Sequence, residues 1–118
     1  MPNTKSIGIA YQDQQLSMLT LNAPVSKTES FTLGEEENFV VCTGASANVA
    51  ITFPTASSSA GRVVFVKNLS GTYTVISASS NVKPVNSGTA GTAILAATAG
   101  KWAILVCDGT NWVIMAAG

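Results

Sequence analysis

Histidine is absent from this sequence, and with it the side chain that most often serves as a general base or a metal ligand. Charge is scarce as well. Six Lys and Arg residues face six Asp and Glu, so 10% of the chain is charged against roughly a quarter in typical soluble domains, and the formal net charge is zero. Such a chain offers no electrostatic footprint for nucleic acid or for an anionic membrane surface. No apolar run approaches the ~18 residues of a transmembrane helix. The opening MPNTKSIGIAYQDQQ has no apolar core of the kind a secretory signal carries. Cysteine is limited to Cys42 and Cys107, both inside apolar runs, so two buried thiols in a chain folded in a cytosol are expected rather than a disulfide.

Catalytic patterns are missing too. There is no G-x-x-x-x-G-K-S/T phosphate loop and no G-x-S-x-G nucleophile turn. The acids are Asp13, Glu29, Glu35, Glu36, Glu37 and Asp108. Gly34-Glu35-Glu36-Glu37-Asn38 lacks the alternating oxygen ligands of a calcium loop and reads as a solvated turn. Asp108, before Gly109, reads as a turn residue that binds its own backbone. Neither an enzyme nor a cofactor nor a metal site is expected.

What the sequence does hold is β pattern. Its 118 residues suit one domain. From residue 28 onward, runs of Val, Ile, Thr and aromatics alternate with Gly, Ser, Asn and Pro about every ten residues. Strands are expected at 28–33, 38–43, 48–53, 62–68, 72–77, 92–97, 101–107 and 111–116. The fold class is therefore all-β, a β-sandwich or jelly-roll-like small barrel spanning residues 28–118. Pro84 argues against a central strand in the loop around it. VVFVKNLSGTYTVI (63–76) and AILVCDGTNWVIM (103–115) both read as hairpins around a Gly-Thr turn. Residues 1–27 differ: Ile7, Ile9, Tyr11, Leu16 and Leu19 are scattered among polar residues, as in an extended N-terminal arm whose apolar side chains dock on another surface.

Several strands are apolar on both faces. Along 102–107, Trp102, Ile104 and Val106 point one way and Ala103, Leu105 and Cys107 the other; Val63 and Phe65 oppose Val64 and Val66 in the same manner. A two-sheet sandwich covers only the inner face of each sheet. Neighbouring subunits are the natural cover for the rest, and a homo-oligomer is expected.

The segment FPTASSSAGRVVFVKNLSGTYTVIS followed by KWAILVCDGTNWVIMAAG resembles small β-domains in virion proteins of tailed bacteriophages. Such domains share a Gly-rich approach, a K-N/D-x-S/G-G turn and a closing D-G-S/T-x-W hairpin. The matching residues are Gly61, Lys67-Asn68-Leu69-Ser70-Gly71 and Asp108-Gly109-Thr110-Asn111-Trp112, within roughly residues 40–118. The start SIGIAYQDQQL is similar to the start of phage structural proteins. The resemblance implies a homotrimer in the virion, assembled in the host cytoplasm, with itself and the major capsid protein as partners and no nucleic acid or membrane.

Within that family the short chain fits a capsid decoration, or cement, protein that binds the outside of the head and stabilises the shell. Phe65, Trp102, Leu105, Trp112 and Ile114 are the expected trimer-interface residues. Ile7, Ile9, Tyr11, Leu16 and Leu19 are the expected capsid-contacting residues of the arm. The alternative is a tail-fibre or baseplate knob or collar that touches a host glycan through Trp112. A free carbohydrate-binding module would need an exposed aromatic with polar neighbours.

Overall fold

The computed structural model of the protein describes residues 22–118. Ten strands run through them: β1 (Val25–Lys27), β2 (Phe31–Thr32), β3 (Phe39–Cys42), β4 (Val49–Thr52), β5 (Val63–Asn68), β6 (Val75–Ser77), β7 (Val82–Lys83), β8 (Ala93–Leu95), β9 (Lys101–Cys107) and β10 (Trp112–Ala117). A single 3-10 turn, Ala56–Ser58, is the one helical element among these residues. The strands form two sheets, of order β1-β3-β5-β9-β10-β7 and β2-β4-β6-β8. The all-β, two-sheet expectation holds, and the strand order is mixed.

Odd and even strands of the first half go to different sheets. β1, β3 and β5 lie side by side and parallel in the larger sheet, while β2, β4 and β6 do the same in the smaller one. The chain thus winds through three turns of a flattened coil. In-register stacking places Val25 beside Val40 and Val40 beside Val66 in one sheet, and Phe31 beside Ile51 and Val49 beside Val75 in the other. The second half then closes the structure with antiparallel pairs, except that β7 runs parallel to β10. β9 lies between β5 and β10, β8 pairs with β6, and β7 takes the far edge of the larger sheet.

One expected hairpin does not form. Residues 63–76 hold β5 and β6, which belong to different sheets, so Lys67-Asn68-Leu69-Ser70-Gly71 is a corner of the coil and not a hairpin turn. Asn68 explains this. Its side chain is buried; Nδ2 donates to the carbonyls of Tyr73 and Ala96, and Oδ1 accepts from the Ser70 N–H. One amide therefore pins the end of β5 to the chain leading into β6 and to the end of β8. Ser70 Oγ accepts the N–H groups of Thr72 and Tyr73 and completes the corner. The 103–115 hairpin does form: Asp108 Oδ1 accepts from Thr110 and Asn111, and Gly109 supplies the positive φ of 93°. Those two N–H groups hold the exposed Asp108 carboxyl below its ordinary range.

Two short strands were not visible as pattern. β7 ends one residue before Pro84 and sits at a sheet edge, where a following proline does no harm. β1 takes residues 25–27, the last three of the segment read as an arm, and Ser26 pairs with Val41. Ile7, Ile9, Tyr11, Leu16 and Leu19 lie outside the described residues.

The two sheets bury Val40, Val64, Val66, Leu105 and Trp112 from one side against Val49, Ile51 and Val75 from the other. Phe53, just past β4, stacks on Trp112 with ring centroids 4.8 Å apart, so the loop after the smaller sheet locks onto the larger one. Cys42 and Cys107 are buried free thiols. They sit on β3 and β9 with β5 between them, which rules out a bond in this fold. Burial pushes the Cys42 thiol up to about 11.

The 34–38 turn is tied down from several sides. Glu37 Oε1 accepts the Gly34 N–H at 2.8 Å, and Oε2 lies 2.9 Å from Lys27 Nζ. The Arg62 guanidinium donates to the Gly34 and Glu37 carbonyls, fastening the turn to the approach to β5. The Gly34 N–H first, and Lys27 second, hold the Glu37 carboxyl below its ordinary value of 4.5. A depressed folded value means that this contribution is complete above pH 4.5 and disappears as the pH falls through the folded value. Glu37→Gln is therefore expected to lower the unfolding free energy at pH 7, and with it the denaturant midpoint, by at most about 1 kcal/mol of stability because the pair is accessible to water. The variant's disadvantage should shrink below pH 4.5. Midpoints of both proteins between pH 7 and pH 3 check this; a difference independent of pH would disprove it.

Candidate interaction surface

Side chains alternate along each strand, so the larger sheet has an inner and an outer face. The burial of β5 alternates strictly, with Val63, Phe65 and Lys67 outward and Val64, Val66 and Asn68 inward. Pairing then fixes the neighbours. Phe39, Phe65, Ile104 and Ala116 form one outer row across four strands. Val63, Val106, Val113 and Lys83 form another, and Ser26, Val41, Lys67 and Trp102 a third. A sheet with one solvated face normally carries polar residues there. This outer face is apolar at nine of twelve positions.

Its centre is a shallow trough of about 350 Å³, lined by Pro24, Phe39, Val41, Phe65, Lys67, Trp102 and Ile104 among others. Phe39 and Phe65 pack at 5.0 Å between centroids and form its floor. Phe65 is 37% exposed and Trp102 41%, while Val63 adds 39% beside them. Trp102 is held at the rim by paired backbone hydrogen bonds with Gly118. Because β9 is bonded on both sides, the indole projects from a rigid base.

The expected interface residues divide between the two faces. Phe65 and Trp102 share the trough. Leu105 and Trp112 are fully buried and Ile114 is 6% exposed, so these three are core residues that no partner can reach, and their assignment to the interface is corrected. The hairpin register is the reason: Trp112 pairs with Cys107 and Ile114 with Leu105, which puts all four on the inner face. Parity alone excludes grouping Leu105 with Trp102, since they lie three residues apart on one strand. Val41, Ile104, Val106 and Val113 also belong to the outer face; Ile104 and Val106 follow from parity with Trp102 on one strand, whereas Val41 and Val113 require knowing which strands pair. Burial of Trp112 also removes the residue through which a knob was to touch a glycan. Trp102 has the apolar Val41 and Ile104 around it and Lys67 as the one polar side chain of the trough.

Among the described residues no three His, Cys, Asp or Glu side chains are grouped to hold a metal ion. No described helix is long and apolar enough to cross a membrane. No protein-family model matches this chain, and no curated protein is significantly similar to it.

Proposed function

We propose that this protein is a structural subunit, not an enzyme, that assembles as a homotrimer through the outer face of its larger sheet and decorates the outside of a bacteriophage head. The observation that carries the reading is the continuous apolar face around Phe39, Phe65, Trp102 and Ile104. A face this apolar in a chain with 10% charged residues favours association in water. Three copies with these faces toward a common axis make a prism with an apolar interior, and a closed ring leaves no growing end.

The phage assignment rests on the resemblance of Gly61, the 67–71 corner and the Asp108–Trp112 turn to those of virion β-domains. The corner and the turn organise the strands that build the face, which gives those motifs a structural purpose here. Decoration then works by linkage. A partner that binds the assembled shell and not free capsid subunits stabilises the shell by mass action, and a trimer holding several weak contacts at once gains from effective concentration.

Two measurements test this. Light scattering of the purified protein should give three times the chain mass, and quantitative gels of purified particles should give a copy number within a few-fold of the major capsid protein. A monomer would disprove the assembly reading. A trimer present at far lower copy number would refute decoration.

A further inference from the structure

The trough is lined by Pro24, and the chain approaches it from the N-terminal end of β3, where the Asn22 amide donates to the Glu36 carbonyl and to Asn38 Oδ1. Upstream, Ile7-Gly8-Ile9-Ala10-Tyr11-Gln12-Asp13 alternates large apolar residues with small or amide ones and ends its apolar series on an acid. We propose that the trough takes Ile7–Asp13 of a neighbouring copy as an extended segment, with Ile7, Ile9 and Tyr11 against the sheet and Asp13 beside Lys67. This rests on the trimer reading and names what fills the face within it.

Three observations converge on this occupant. In an extended segment, residues 7, 9, 11 and 13 share one side, so a single orientation offers three apolar side chains and a carboxylate together. The trough offers the complement, an apolar floor of Phe39, Phe65 and Ile104 with Lys67 as its cation. The one ion pair among the described residues joins Lys27 to Glu37, so Lys67 has no acid partner among them, and the Asp13 carboxylate would supply one at the water-accessible rim. Reach is sufficient: the nine residues from Asn22 back to Asp13 span up to ~30 Å, while β3, β5 and β9 together are only ~10 Å across. A neighbour's segment, rather than the chain's own, follows from the trimer reading, since an arm that crosses to the next copy ties three chains into a closed ring.

The test uses the full chain carrying Ile9→Cys and Val41→Cys, with Cys42 and Cys107 buried. Mild oxidation followed by a denaturing, non-reducing gel should give a ladder that ends at the trimer. Ile104→Cys in place of Val41→Cys keeps the experiment decisive if the first pair does not fold. Asp13→Lys or Lys67→Glu alone should slow cross-linking about two- to five-fold, the range of one water-accessible ion pair, and the double exchange should restore it. Closure within one chain, seen as a fast-running monomer only, would overturn docking between copies. A protein that is trimeric by light scattering yet does not cross-link would overturn the docking and leave the trimer standing. A monomer by light scattering would overturn the trimer itself.

Discussion

Replacing Trp112 by alanine is expected to remove a large share of the stability of this domain, about 3–5 kcal/mol, the range for a large aromatic deleted from a packed core. Trp112 is fully buried, stacks on Phe53 at 4.8 Å, and lies where β10 meets both β9 and β7. Its loss opens a cavity bounded on several sides by paired strands, which cannot collapse to fill it. Domains of this size have only about 5–15 kcal/mol in total, so thermal midpoints should fall by about 15–30 °C at fixed protein concentration. Trp112→Phe should be much milder. The indole N–H has no hydrogen-bond partner among the described residues, and removing a buried orphan donor returns part of what the smaller ring loses. A Trp112→Ala protein that melts within a few degrees of the parent would show that the stack on Phe53 contributes little.

The contrast between Trp112 and Trp102 shows how far the sequence could be read. Every strand of four or more residues was legible, because Val, Ile and aromatic runs ended at Gly, Asn or Asp turns. The two faces of β5 and β9 were legible as well, since parity needs no partner. Which face was inner was not, because it depends on the strands that pair. Trp112 reads as an anchor of either kind until its register with Cys107 is known. The corner at Asn68 was hidden for a related reason. A Ser-Gly turn between apolar runs looks the same whether the chain doubles back or crosses to the other sheet, and the deciding contact, Asn68 to the Ala96 carbonyl, spans 28 residues. β1 and β7, of three and two residues, are too short to carry any period, and they exist because β3 and β10 offer them an edge.

The outer face can be broken without touching the core, which makes its expected effect both large and separable. Phe65→Glu places a carboxylate in the middle of the trough while leaving Val64 and Val66, its inward neighbours, in place. Each of three copies then loses an aromatic anchor worth about 2 kcal/mol. The trimer's association constant should fall on the order of 10⁴-fold from that loss alone. Burying an unpaired charge adds to the penalty, and Lys67 two residues away offsets it only in part. The variant should run as a monomer in light scattering and keep the circular dichroism of the parent. Trp102→Glu, on the neighbouring strand of the same face, should do the same. Thr52→Glu places the same charge on an exposed position of the smaller sheet and should leave the trimer whole. If Phe65→Glu and Trp102→Glu both remain trimeric, the interface lies elsewhere and the apolar face has another occupant. If Thr52→Glu dissociates the trimer as well, added negative charge rather than the face is responsible. Dissociation by the first two and not the third ties assembly to the outer face of the larger sheet.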